Sequence, residues 1–327
     1  MTKGRIFLTL SEKSKKSKEI NFHIDDKVGG RDYLFWIDEF KNLDYDIYFV
    51  NWRDYKDKKF SRVFHYNSSQ FVSINEISRN DFVFLYKQEG FLLDRNIKKF
   101  YRMLDELEET GALIVNNPKT IRWNISKEHL FYLMKNGVKV INAYEVEDVL
   151  YRINSGEKFV VKPKIAARAN GLRLIKSKED IEWVNNLGKN MKSYIAQEFC
   201  RGIREGERSL FFIGDKYSHA VLKTPNPENP NEIRCNKSVG GIVSKYEPSA
   251  EELNYAKKVI EVISKEYPIL YSRIDFAIDN GTPVLVEAEL LNPSAFADLA
   301  GVGEMFGKNL VNYFDKLIRE RELSQDL

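Results

Sequence analysis

Tyr271-Ser-Arg-Ile-Asp-Phe-Ala-Ile-Asp-Asn-Gly-Thr-Pro-Val-Leu-Val-Glu-Ala-Glu-Leu-Leu-Asn-Pro-Ser294 reads as a β-hairpin, because two runs rich in apolar residues flank the turn sequence Asp279-Asn280-Gly281. Three carboxylates, Asp275, Glu287 and Glu289, interrupt those runs. A buried carboxylate is costly unless it is paired or bound to a cation. Carboxylates converging from neighbouring strands suit Mg²⁺, a hard ion that prefers oxygen ligands and also holds phosphates. This reading makes a demand on register. Side chains alternate faces along a strand, so Glu287 and Glu289 share one face. Asp275 joins them only where odd positions pair with odd. A plain two-residue Asn-Gly turn sets Asp275 opposite Val286 instead, unless a bulge intervenes. A solvated hairpin with its charges in water fits the same letters, so the choice depends on the residues upstream.

The 327 residues suffice for two or three subdomains with a sizeable core. Basic and acidic residues nearly balance, 51 against 48, and the net charge of +3 gives no case for nucleic acid. A short basic run at 13–18, interleaved with serines, reads as a solvated loop. No apolar stretch is long enough to span a bilayer, and Ile6-Phe-Leu-Thr-Leu10 followed by charge is not a secretion signal. Cys200 and Cys235 lack metal-type spacing, so a cytoplasmic protein with reduced thiols is expected. His23, His65, His129 and His219 form no zinc pattern. No internal repeat, P-loop sequence, serine triad or cysteine triad is present.

Residues 1–115 read as an α/β unit. Strands are expected at Ile6-Phe-Leu-Thr-Leu10, Asp46-Ile-Tyr-Phe-Val50 and Asp81-Phe-Val-Phe-Leu-Tyr86. A helix over 32–43 carries Leu34, Phe35, Ile37 and Phe40, and a second one, capped by Asp94, ends at Gly111. The alternation argues a mostly parallel sheet. In 116–190, Asn124 or Ser126 is placed to cap a helix carrying Leu130, Phe131, Leu133 and Met134. That sets Lys127 in a first helical turn, where a cation is unfavourable unless it meets an anion. Lys162 ends the apolar run Lys158-Phe-Val-Val-Lys-Pro163. The loop of small residues Ala166-Ala-Arg-Ala-Asn-Gly171 then lets backbone N–H groups approach an anion. In 191–327 come a strand at Ser193-Tyr-Ile-Ala-Gln-Glu-Phe199, a hairpin turning at Gly214-Asp215, and a Pro- and Asn-rich loop at 224–231. A helix with a Ser249/Glu252 capping box follows, then the opening hairpin and a last helix around 305–318.

This order of motifs resembles the ATP-grasp superfamily, in the glutathione-synthetase-like branch of carboxylate–amine ligases that includes the cycloserine-forming cyclo-ligase. The likeness runs over roughly 115–300. It rests on Trp-Asn-x-x-Lys127, Val-Val-Lys162-Pro, Ala-Gln-Glu-Phe199, Gly206-Glu207-Arg-Ser209, His219-Ala-Val-Leu-Lys223, Arg234 with Gly240-Gly241, Arg273-Ile-Asp275, and Glu287-Ala-Glu289 ending in Asn292-Pro-Ser. The resemblance implies an α/β (α+β) chain with the ATP-grasp fold. Its parts would be an N-terminal pre-ATP-grasp domain at 1–115, a central lid subdomain at 116–190 and a metal-bearing subdomain at 191–327.

It also implies site roles. Lys127 and Lys162 would hold ATP phosphates, covered by a loop with Ala167, Arg168 and Gly171. Gln197, Glu198, Phe199 and Cys200 would form the hinge against adenine, and Glu207 would bond the ribose. Asp275, Glu287 and Glu289 would carry Mg²⁺, two ions in all. Lys223 and Arg234 would meet the transferred phosphate or the oxyanion that follows, and Arg273 would orient a substrate carboxylate. Two departures stand out: the phosphate loop keeps only Gly171 and contains Arg168, and Asn292 stands where relatives often have an acid.

The implied activity is an ATP-dependent carboxylate–amine (or carboxylate–thiol) ligase working through an acyl phosphate. Its partners would be small amino-acid-like or peptide-like substrates, with no nucleic acid, no membrane and a possible homo-oligomer. Ring closure within one substrate, modification of a protein, and a non-catalytic ATP-binding module are the other expectations. The segments 164–171 and 224–240 would be the lids.

Overall fold

The computed structural model describes residues 3–9, 32, 34–86, 97–167, 169–229, 231–291 and 293–323. Its first sheet has six strands: β1 (Gly4–Thr9), β2 (Tyr45–Val50), β5 (Val63–His65), β6 (Gln70–Val72), β7 (Asp81–Phe84) and β8 (Leu113–Val115), in the order β6-β5-β2-β1-β7-β8. β3 (Tyr55–Lys56) and β4 (Lys59–Phe60) make a separate small hairpin. The four strands β2-β1-β7-β8 are parallel, as the alternation predicts; β5 and β6 add an antiparallel edge.

Period-two burial organises both faces of this sheet. Ile6 and Leu8 point into a cluster with Trp36, Ile37 and Phe40 of α1 (Leu34–Asn42). Phe7 points the other way, toward Phe100, Met103 and Leu104 of α2 (Ile97–Thr110). The predicted helix over 32–43 therefore starts at Leu34, and Asp32 stays outside it. α2 ends where Gly111 takes φ 74°, while Asp94, its predicted cap, lies outside the described residues.

The middle of the chain supplies α3 (Pro118–Asn124), α4 (His129–Lys135), α5 (Val146–Asn154) and α6 (Lys178–Asn185). An antiparallel sheet of order β11-β10-β12-β9 is built from β9 (Ala143–Glu145), β10 (Phe159–Pro163), β11 (Arg173–Ile175) and β12 (Tyr194–Glu198). β12 lies beyond the expected division at residue 190 yet pairs with β10, so this sheet crosses that division.

The third sheet runs β15-β14-β13-β16-β17, with β13 (Glu207–Ile213), β14 (Lys216–Thr224), β15 (Ile242–Tyr246), β16 (Tyr271–Asp279) and β17 (Thr282–Glu289), all antiparallel. Against it packs α7 (Ala250–Ser264), begun by the predicted Ser249/Glu252 capping box. The last helix, α8 (Gly303–Leu323), packs against both this sheet and the first one. Its Phe306, Leu310, Val311 and Phe314 join the cluster of α1 and the first sheet, together with Phe211 and Tyr271. One core thus couples the first and last parts of the chain. Among the described residues no helix is long and apolar enough to cross a membrane.

The opening hairpin forms as predicted, and its register meets the stated demand through a bulge. Asn280 and Gly281 both take positive φ, 47° and 77°, as a two-residue turn requires. From this turn Asp279 pairs with Thr282 and Phe276 with Leu285. The register then shifts between Asp275 and Phe276, which sets Asp275 opposite Glu287 and Arg273 opposite Glu289. The residue left over is Val286. One extra residue on β17 is what returns Asp275 to the face of the two glutamates.

Candidate active site

A cleft of about 330 Å³ opens between the four-stranded and five-stranded sheets. Lys127, Lys162, Ala167, Gln197, Glu198, Phe199, Cys200, Glu207, Lys223, Arg234, Arg273, Asp275, Glu287 and Glu289 all line it. Gly171 does not. Its φ of 76° shapes the loop, and a Cβ there would come 2.9 Å from Pro163 Cγ. Arg168 and Asn292 lie outside the described residues. The pattern of motifs did not single out Asn236, Lys237, Ser238 and Phe296, which also face the cleft. Their proximity to Arg234 and to the end of β17 was the only available clue.

Each side chain reaches the cleft for a local reason. Lys162 closes β10, whose Phe159 and Val161 are buried in the core below. The chain leaving β12 turns at 201–205, where Gly202 lies so close to β16 that an added Cβ would sit 1.8 Å from the Ile278 carbonyl oxygen. Glu198 does not project freely: Arg152, Tyr144 and Asn142 donate to its carboxylate at 2.8, 3.0 and 2.9 Å. Burial would raise this carboxyl, but those donors hold it below the usual range.

Lys127 corrects a prediction. It sits in a turn before α4, not within the helix, and Asn124 is not the helix cap. Asn117 and Pro118 instead start α3 one segment earlier, with the Asn117 side chain accepting from Lys119 N–H. Asn124 then faces β17: its amide donates to Ala288 O at 2.7 Å and accepts from Leu290 N–H at 2.8 Å. Asn116 does the same for β16, donating to Tyr271 O and accepting from Tyr271 N–H. These two asparagines fasten the Lys127 segment to the carboxylate hairpin.

The electrostatics form one dense network. Asp275, 2% exposed, accepts from Arg273 Nε at 2.8 Å, from Ser209 Oγ at 2.7 Å and from Lys223 Nζ at 3.1 Å. Burial alone would raise this carboxyl; Arg273 and Lys223 outweigh it and hold it well below the usual carboxylate range. Lys223 also pairs with Glu207, whose carboxyl burial pushes up. Glu287 lies 3.0 Å from Lys127 Nζ, and Lys127 with Lys162 overcomes burial to hold it at about 2. Arg234 pairs with Glu232 at 2.6 Å, a contact that draws Glu232 down to about 2. The Cys235 thiol is pushed up to about 12 by burial. Among the described residues, no three His, Cys, Asp or Glu side chains converge as a ready-made metal site. Asp275, Glu207 and Glu287 are turned to cations of the protein instead, and Glu289 accepts from Leu291 N–H at 3.1 Å.

Lys162 faces two of the same carboxylates without a direct salt bridge among the described residues. It is 5% exposed and has no hydrogen-bond partner among the described residues. Burial, with Lys127 adding to it, pulls its ammonium down to about 8. Glu287 and Glu207 act against that lowering, so the ammonium faces the cleft in a field shared by two carboxylates and Lys127. Oxygen ligands on Asp275, Glu287 and Glu289 suit a hard divalent cation in the same cleft. A magnesium nucleotide fits this donor set.

A pH dependence follows. Lys162 attracts an anion only while protonated, so affinity for a phosphate-bearing ligand should stay level below pH 8 and decline above it. Calorimetry in buffers of different ionisation heat should show proton uptake on binding near pH 8.5–9, which is about where this shift puts it. For stability the sign is opposite. A lysine depressed from 10.5 to about 8 costs stability fully below pH 8, and the cost is relieved as pH rises through that interval.

No protein-family model matches the chain, and a search of curated proteins finds no significant match. Solved structures do match. The chain has the ATP-grasp fold, the fold of ligases that it superposes on over nearly their whole length. It is similar to the D-cycloserine synthetase DcsG, with TM-score 0.73 and 15% identity over 96% of this chain and 100% of that one. D-alanine–D-alanine ligase from Bacillus anthracis gives 0.63 and 14%, over 97% and 99%. The ATP-grasp ligase PsnB, complexed with a minimal precursor, gives 0.60 and 14%, over 96% and 100%.

Proposed function

We propose that this chain is an ATP-dependent ligase that joins a carboxylate to an amine, releasing ADP and phosphate. One observation carries the reading: within an ATP-grasp fold, Lys127 and Lys162 share a cleft with Asp275, Glu287 and Glu289. A carboxylate is a poor acyl donor because its oxide leaves badly. Phosphorylating it as an acyl phosphate gives the amine a leaving group to displace.

In this reading Lys162 and Lys127 hold the nucleotide phosphates, and Glu207 takes the ribose. The 197–200 segment of β12 and its turn lies along the base. Lys223 and Arg234 meet the transferred phosphate or the oxyanion that follows it, and Arg273 orients the acid. Asp275, Glu287 and Glu289 are the residues that would hold magnesium. Bound magnesium would neutralise charge on the transferred phosphoryl group. The walls of the two sheets keep water from the activated acid. The named relatives include a synthetase of D-cycloserine, a D-alanine–D-alanine ligase and a ligase complexed with a precursor peptide, which supports amino-acid-like or peptide substrates.

The test is ADP release from Mg-ATP across a panel of amino acids and short peptides offered as acid and amine. Release should require both partners, and the product mass should equal their sum less water. Glu287→Gln with Glu289→Gln should lower the rate by at least about 100-fold, the scale of losing charge stabilisation at a transition state. A near-normal rate in that double variant contradicts the site assignment.

A further inference from the structure

Lys127 holds two parts of the cleft at once. Its ammonium lies 3.0 Å from Glu287 Oε1 and donates to the Ala166 carbonyl at 3.3 Å. Its own backbone N–H donates to Lys164 O at 2.8 Å. One side chain therefore ties β17 to the loop that begins at Ala166. The contact is mostly out of water, with the Lys127 side chain 13% exposed and that of Glu287 29%. Charges interact more strongly there than in solvent. A divalent cation approaching Glu287 meets an oxygen already engaged, and an ammonium of its own sign beside it.

We propose that Lys127 is a counter-ion switch. Without nucleotide it masks Glu287 from divalent cations. A bound phosphate draws the ammonium to itself, which frees the carboxylate for the cation and the Ala166 carbonyl for a new loop position. This rests on the reading of the cleft as a magnesium-nucleotide site. Lys127 then acts through Glu287 as a positioning residue, and nucleotide and cation must raise each other's affinity by the same factor.

The experiment is titration of Mn²⁺ into the nucleotide-free protein, followed by the electron paramagnetic resonance of free Mn²⁺. Lys127→Met should bind Mn²⁺ roughly tenfold or more tightly than wild type, within the usual range of coupling. Adding Glu287→Gln should abolish the gain. Lys127→Gln loses the charge while keeping a donor for Ala166, and should show the same gain. Wild type should gain a similar factor when ADP is present. The proposal is overturned if neither Lys127 variant binds Mn²⁺ more tightly, or if the gain survives Glu287→Gln. The nucleotide-free titrations read the masking directly. A wild-type protein that ignored ADP would remove the functional reading and the exchange with phosphate, while a gain lost with Glu287 would still establish the mask.

Discussion

Lys162→Met should lower Mg-ATP affinity by about 10- to 150-fold and leave the nucleotide-free protein as stable as wild type, or more stable. The loss follows from one hydrogen-bonded charge, about 1.5–3 kcal/mol between an ammonium and a phosphate. The gain follows because burial outweighs the attraction of Glu287 and Glu207 and pulls the ammonium down to about 8, so its charge costs stability in the folded protein. Methionine keeps the length and the apolar stem. Calorimetric titration and urea unfolding of the same two proteins check both signs. An affinity within twofold of wild type would remove Lys162 from the nucleotide site. A large loss of stability would mean that its charge is compensated by groups of the protein itself.

Asp275→Ala should behave in the opposite way and destabilise the fold itself. Arg273 and Lys223 both donate to this carboxylate, and Ser209 adds a third hydrogen bond. Removing it leaves two cations of like sign facing each other, with Glu207 alone against Lys223. Breaking a buried pair from one side costs about 3–5 kcal/mol. Urea unfolding should show that loss, with a smaller one for Asp275→Asn, which keeps an acceptor for Ser209 and Arg273. The pH dependence has a definite sign. A carboxyl held down in the folded state contributes stability above its unfolded pKa, and that contribution fades as pH falls through the acid range. The alanine variant should therefore lose less stability on acidification than wild type. A loss under about 1 kcal/mol would show that the network around Asp275 is wet and replaceable.

These two residues also mark how far the letters could be read. The hairpin at 271–289 was legible because Asn280-Gly281 is a sequence with few other uses, and the capping box at Ser249 was legible for the same reason. The partner of Asp275 was not, because alternation permits either parity and nothing about Val286 announces a bulge. Asn124 and Ser126 both have the look of a cap, which sets Lys127 in a helix that in fact starts only at His129. The Asn124 amide is taken up instead by Ala288 and Leu290, residues far along the chain. The parallel strands of the first sheet were visible as apolar runs. The antiparallel edge at Val63–His65 and Gln70–Val72 was not, because three-residue strands carry too little pattern. Asp32, predicted to open a helix, accepts from Ala295 and Ala297 N–H at 2.8 and 3.0 Å and so braces the chain beyond β17. Long-range polar contacts of this kind leave no periodicity behind. The ionisable residues that line the cleft are legible because motifs name them. Their pairing with one another in the absence of ligand is a property of the fold.

The most direct measurement is the thermal unfolding midpoint with and without Mg-ATP. At about 100 times its Kd the nucleotide should add roughly 2.7 kcal/mol, a plainly visible rise. The rise should need magnesium and shrink in Lys162→Met. An unchanged midpoint at millimolar Mg-ATP would contradict the account, leaving an ATP-grasp fold whose cleft serves another ligand.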